Sequence, residues 1–138
     1  MKNIKVEEFT TPILHVISEN ALLDQAFSIM KENNIRHLPV SDGEQILGII
    51  SERDVMALYG KDWQEAIRVR DFMNESVLSV YRGDNLGEVA YQLSNNKVGS
   101  AIVLDENGKV YGIFTVTDAL NALVEIFVTD AYERSDLR

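Results

Sequence analysis

No cysteine occurs anywhere in the sequence, which removes disulfides, thiolate metal sites and thiol catalysis, and suits a cytoplasmic protein. Histidine is nearly absent too. His15 and His37 are the only two, so with no cysteine beside them no transition-metal constellation is expected. No apolar run exceeds strand length, so no membrane-spanning helix is expected. The leading Met1–Glu8 stretch carries acidic residues and lacks an apolar core, so secretion is not expected. Basic residues are outnumbered, 13 against 22, for a net charge of −9. Such a chain repels phosphate backbones over most of its surface, making nucleic acid and anionic membrane poor partners. Any phosphate it binds must be held by a local concentration of donors. Walker-type Gly-Lys-Ser/Thr, Gly-x-Gly-x-x-Gly and any catalytic Ser/His/Asp grouping are missing as well. A dyad of Asp54 and His37 has no spacing logic, so no catalytic residue is assigned.

What the sequence does contain is a repeat. Gly48-Ile-Ile-Ser-Glu-Arg-Asp54 returns as Gly112-Ile-Phe-Thr-Val-Thr-Asp118, with both the glycines and the aspartates 64 residues apart. Matching chemistry at a fixed period signals duplication of a structural unit. The balance of 46% hydrophobic and 25% charged residues is that of an ordinary globular protein, and 138 residues fit one domain or two small halves sharing a core.

Aligned on the repeat, the halves show the same order of elements. Val6–Phe9 and Val69–Phe72 open them, followed by strand-like Ile13–Val16 and Val77–Val80. Polar breakers, Ser18–Asn20 and Arg82–Asn85, read as helix entries. Apolar residues at helical spacing follow: Leu22, Ala26 and Ile29, with Leu23, Phe27 and Met30 beside them, in the first half, and Leu86, Val89, Ala90 and Leu93 in the second. Asn33-Asn34 and Asn95-Asn96 mark the exits. A hairpin around Asp-Gly or Asn-Gly comes next in each half. Pro39 cannot donate to a ladder, so it belongs at an edge or a strand start. A second helix closes each unit. The first is expected from about Glu52 to Tyr59, and the longer last one carries Leu120, Leu123, Val124 and Phe127 on a face expected to be mostly core. Trp63, in the polar connection, reads as a packing anchor. The expected fold is α+β: two tandem β-α-β-β-α repeats packed sheet-to-sheet with pseudo-two-fold symmetry. Residues 1–60 form the first repeat, 61–68 a linker and 69–138 the second.

Taken alone, Ser51-x-x-Asp54 and Thr115-x-x-Asp118 read as capping boxes, the hydroxyl capping the helix and the carboxylate reaching back to the hydroxyl residue's amide. The same carboxylate suits a vicinal diol, because its two oxygens accept more hydrogen bonds than a cap requires. Both roles can coexist.

This order of elements, with Gly-apolar-apolar-Ser/Thr-x-x-Asp at the last strand-to-helix junction and Arg36-His-Leu-Pro-Val-Ser-Asp42 ahead of the hairpin, resembles the cystathionine β-synthase (CBS) domain. The resemblance covers residues 4 to 128 and implies a stand-alone, non-catalytic regulatory module. Such a module binds adenosine-containing ligands (AMP, ADP, ATP or S-adenosylmethionine) in clefts between its repeats. The hydroxyl and Asp would hold ribose at Ser51 and Asp54, with Ile50 beside them, and at Thr115 and Asp118. Arg53, Arg36 and His37 supply the positive field that a phosphate needs in an acidic chain. Their counterparts Thr117, Gly99 and Ser100 bring hydrogen bonds but no charge, so the second site should bind more weakly, prefer a less charged adenosyl ligand, or be empty. The family also implies a homodimer and an unidentified effector protein. The alternative is a structural homodimerisation module whose Ser/Thr-x-x-Asp boxes only cap helices.

Overall fold

A computed structural model describes residues 3–58 and 66–136, with side chains as far as Ala131. The fold is α+β, with two sheets and four helices among these residues. The elements are β1 (Thr11–Pro12), β2 (Ile17–Ser18), α1 (Leu23–Glu32), β3 (His37–Ser41), β4 (Ile46–Ser51), α2 (Glu52–Met56), β5 (Leu78–Tyr81), α3 (Leu86–Asn96), β6 (Ser100–Leu104), β7 (Val110–Thr115) and α4 (Val116–Asp136). Single 3₁₀ turns at Val6–Phe9 and Val69–Asp71 occupy the two openings the repeat marks out.

The compact units are not the sequence halves. One runs from Ile13 to Val77, and the other joins the leading segment through Pro12 to everything from Leu78 onward. The physical reason lies at the sheet edges. In the second unit β1 pairs antiparallel with β7, Thr11 opposite Ile113 and Pro12 opposite Gly112. In the first, Asn74 takes the equivalent place beside β4: it donates to the Ile49 carbonyl at 2.8 Å, and the Ile49 amide donates back at 3.0 Å. Each sheet therefore has an outer edge closed by the opening segment of the other sequence repeat, which protects an otherwise unpaired edge.

That exchange explains the motif glycines. A Cβ on Gly48 would lie 2.7 Å from the Asn74 carbonyl, and one on Gly112 would collide with the Thr11 carbonyl. It also explains Pro39. β3 is the central strand of its sheet, in the order β2-β3-β4, with Pro39 opposite Ile49. Both backbone groups of Ile49 turn to Asn74, so nothing is asked of the Pro39 nitrogen on that side. On its other side β2 reaches only Val40 and Ser41, so the strand is locally an edge there.

Each unit has its own core. Leu23, Ala26 and Met30 of α1 pack with Leu38, Val40, Ile50, Val55 and Val69. Leu86, Val89 and Leu93 of α3 pack with Val6, Ala101, Val103 and Phe114. The α3 face is the expected one, and on α1 burial centres on Leu23, Ala26 and Met30, with Phe27 and Ile29 packed against that cluster.

Several local expectations give way. Ile13–Val16 is irregular, and the strand is only Ile17–Ser18. Asn85 caps α3, its Oδ1 accepting from the Glu88 amide at 3.0 Å, but α1 starts beyond Ser18–Asn20, where Gln25 Oε1 accepts from the Leu22 amide at 2.8 Å. The helix exits hold: α1 ends just before Asn33-Asn34 and α3 at Asn96, with Asn34 and Lys97 taking the left-handed conformation. The second hairpin turn holds one residue more than the first, so equivalent residues stand 63 apart before the turns and 64 after them. Helix α2 ends at Met56; Tyr59, Trp63 and most of the expected linker lie outside the described residues.

The largest departure is α4. Leu120, Leu123, Val124 and Phe127 are 56%, 46%, 61% and 63% exposed, while Ala122, with Ala119, faces the core. An amphipathic pattern shows that a face will be covered, not by what.

Candidate functional site

The repeated motif sits where β4 enters α2 and where β7 enters α4. In the first, Asp54 Oδ2 accepts from the Ser51 amide at 3.1 Å and from the Ser51 hydroxyl at 2.8 Å. Ser51 Oγ in turn accepts from the Asp54 amide at 3.2 Å. In the second, Asp118 Oδ2 accepts from the Thr115 amide at 2.8 Å and hydroxyl at 3.0 Å, while Thr115 Oγ1 accepts from the Asp118 amide at 3.2 Å. The capping boxes are complete. Each engages only Oδ2, and the second carboxylate oxygen has no hydrogen bond within the described residues. Both aspartates are half-buried, so that oxygen belongs to a side chain held in one orientation at the surface.

Strand pairing brings the basic residues to the first motif. His37 is opposite Ser51 in register, and the Glu52 amide donates to the Arg36 carbonyl at 2.8 Å. Arg53 is the second residue of α2, exposed like Arg36. Neither guanidinium forms an ion pair among the described residues, where Glu7 with Arg82 is the one salt bridge. Pairing with Glu52, the plain surface role for Arg53, is therefore not observed. Ile50 is fully buried in the core. His37 is half-buried at the head of β3.

The second motif is built alike without the charge. Ser100 is opposite Thr115, the Val116 amide donates to the Gly99 carbonyl at 3.1 Å, and Thr117 is exposed in the first turn of α4. Two of the first three helix amides at each motif already have partners, leaving Arg53 and Thr117 with free backbone N–H groups among the described residues.

Reading the motifs alone missed their neighbours. Met73-Asn74 lies against Gly48, with Met73 Sδ 3.2 Å from where a Cβ would stand, and Thr10-Thr11 lies against Gly112. The 63-residue spacing of Thr10 from Met73 and of Thr11 from Asn74 was the available signal. A cleft of about 650 Å³ opens at the hairpin end of the first sheet, bounded by Ser18, Ser41, Asp42 and Leu47. None of the expected site residues lines it; those of the first motif lie at the far end of β4, and those of the second where β7 enters α4.

The profile of the family described as CBS domain matches residues 6–61 and 69–125. An uncharacterized protein of Methanocaldococcus jannaschii is 28% identical over 131 residues, covering 86% of this chain and 47% of the relative. The gamma-3 subunit of the 5'-AMP-activated protein kinase of Bos taurus is 30% identical over 120 residues, 80% of this chain and 24% of the relative. The chain thus spans less than half of each of these two proteins. Among solved structures, CBSX2 of Arabidopsis thaliana in complex with AMP is similar at 31% identity with a TM-score of 0.66, covering 88% of this chain and 97% of that one.

Proposed function

Since the chain belongs to the CBS-domain family, with one copy of the domain in each half, we propose that it is a non-catalytic regulatory module that binds an adenine nucleotide at Ser51 and Asp54. The observation that carries this reading is the Asp54 Oδ1, which no hydrogen bond engages among the described residues, in a motif whose chain neighbour Arg53 and strand-paired neighbour Arg36 have no ion-pair partner among those residues. A carboxylate oxygen suits the ribose diol, and paired guanidiniums suit a phosphate. The likeness to CBSX2, solved with AMP, supports AMP or a close relative of it.

The same chemistry separates the two motifs. An anionic ligand belongs at Asp54, while the uncharged Gly99, Ser100 and Thr117 set suits adenosine or S-adenosylmethionine at Asp118. Ligand occupancy would bias one arrangement of the module, read by an effector protein in the cytoplasm; this requires different affinities for the two arrangements.

The complete capping boxes favour a second reading, a structural module that binds no nucleotide. Thermal denaturation with and without AMP separates the two. A binder gains stability with ligand concentration by mass action, and a capping-only protein shows no change.

A further inference from the structure

The cleft at the hairpin end of the first sheet can be compared with the same place in the second unit. Strand pairing fixes the correspondence. Ser18 is opposite Ser41 as Tyr81 is opposite Leu104, and Val40 is opposite Gly48 as Val103 is opposite Gly112. Glu19 therefore corresponds to Arg82, and Leu47 to Tyr111. Arg70 corresponds to Glu7, since the Arg70 amide donates to the Glu19 carbonyl at 3.0 Å and the Glu7 amide to the Arg82 carbonyl at 3.2 Å. In the second unit a guanidinium occupies the place. The Arg82 Cζ lies 4.5 Å from the centroid of the Tyr111 ring, and its Nε donates to Glu7 Oε2 at 2.5 Å. In the first unit the charges are exchanged but the pair is not made. Arg70 donates to Asn20 Oδ1 at 2.6 Å, and Arg68 donates to the Asn20 carbonyl at 2.8 Å. Glu19 is left half-buried in the cleft wall, with no hydrogen bond or ion pair among the described residues.

We propose that this cleft binds a small guanidinium compound, its fork on the Glu19 carboxylate and its apolar stem along Val16 and Leu47. A guanidinium is weakly hydrated, lies flat on apolar surface and matches a carboxylate with two parallel hydrogen bonds. The wall supplies both kinds of contact. Glu19 and Asp42 carry negative charge, Val16 and Leu47 are apolar, and no basic residue among the described ones lines it. Arg68 and Arg70 are the basic groups bonded to the wall, and both are turned to Asn20. The volume of about 650 Å³ falls within the roughly 300–1,000 Å³ of small-molecule sites, which favours a free compound over a single side chain of a partner. The cleft and the Asp54 motif stand at opposite ends of β4, so this ligand is separate from the proposed nucleotide.

Amide NMR titrations of the wild-type chain and Glu19→Gln with butylguanidinium, butylammonium and propionate test the site. Butylguanidinium is expected to give saturable shifts at Glu19, Asn20, Asp42 and Gly43, with affinity about tenfold lower in Glu19→Gln. Butylammonium, which has the charge without the fork, should bind the wild type at least about threefold more weakly. Arg70→Ala should bind butylguanidinium as tightly as the wild type or more tightly, because it removes a positive charge beside the cleft. No saturation by about 50 mM, equal affinity in Glu19→Gln, or shifts centred on Ser51–Asp54 would overturn the proposal. So would propionate binding more tightly than butylguanidinium, which would assign the cleft to Arg68 and Arg70. A Gly-Arg-Gly peptide bound more than about tenfold tighter than butylguanidinium would assign it to an arginine of a partner protein and overturn the small-compound reading. The comparisons of these ligands on the wild type need no variant, so they decide the question even if Glu19→Gln does not fold.

Discussion

Asp54 and Ser51 hold each other through three hydrogen bonds that leave one carboxylate oxygen unengaged among the described residues: Oδ2 accepts from the Ser51 amide and hydroxyl, and Ser51 Oγ accepts from the Asp54 amide. One residue pair thus ends a strand, starts a helix and presents an oriented acceptor. Capping and ligand binding are compatible because the cap uses half of the carboxylate.

Replacing Asp54 should therefore have two separable effects. Asp54→Ala should lose about 1 kcal/mol of stability, the worth of a helix cap. Asp54→Asn keeps the shape, and its remaining carbonyl oxygen can still accept one hydrogen bond. Urea denaturation of both variants without ligand should rank Asn above Ala. Equal losses would mean that the cap contributes nothing separable.

The two guanidiniums should read charge. Arg53→Ala is expected to weaken AMP binding by about tenfold while leaving adenosine within about threefold, because it removes a phosphate contact and no ribose contact. Parallel titrations with AMP and adenosine check this. A uniform loss for both ligands would place Arg53 elsewhere than at the phosphate.

Gly48 and Gly112 should tolerate no side chain. Alanine at Gly112 drives a Cβ into the Thr11 carbonyl, and at Gly48 it meets the Asn74 carbonyl at 2.7 Å. Each substitution should destabilise by about 2 kcal/mol or more, with Gly112→Ala the worse, since backbone must move in both. Thermal unfolding measures the order. Ala variants as stable as the wild type would show that the crossing segments do not press on the motif strand.

Asp42 predicts a pH dependence. Hydrogen bonds from the backbone amides of Gln45 and Glu44 hold its carboxyl below the usual value of 3.8. A lowered native pKa gives stability that is fully present above the unfolded value and is lost as pH falls through the native one. Carbon-detected NMR titration should place the Asp42 midpoint below 3.8. A midpoint at or above that value would mean that the turn does not stabilise the ionised form. The side chain is exposed, so the effect on overall stability is small.

Most of the element order was legible, because duplication supplied a second witness for every weak local signal. The hairpins stand where Asp-Gly and Asn-Gly put them, and Arg36 with His37 joins the first motif because antiparallel pairing from an Asp-Gly turn fixes which residues meet. The exchange of opening segments was hidden: periodicity shows that Val6 and Val69 are buried but does not say in which unit. The same limit misplaced α4. Its alternation of apolar and polar residues is equally good for an inner and an outer contact, and only the small Ala119 and Ala122 hint at which face fits closely against its own unit. Which carboxylate oxygen a cap uses is a matter of side-chain geometry that spacing does not encode.

The most direct test of nucleotide binding is isothermal titration of AMP into the wild-type chain, with Asp54→Ala and Asp118→Ala alongside. Saturable heat that persists in Asp118→Ala and disappears in Asp54→Ala, with the variant still folded, is the predicted result. Unchanged AMP binding in Asp54→Ala, or no heat from the wild type, would contradict it and leave the two motifs as helix caps.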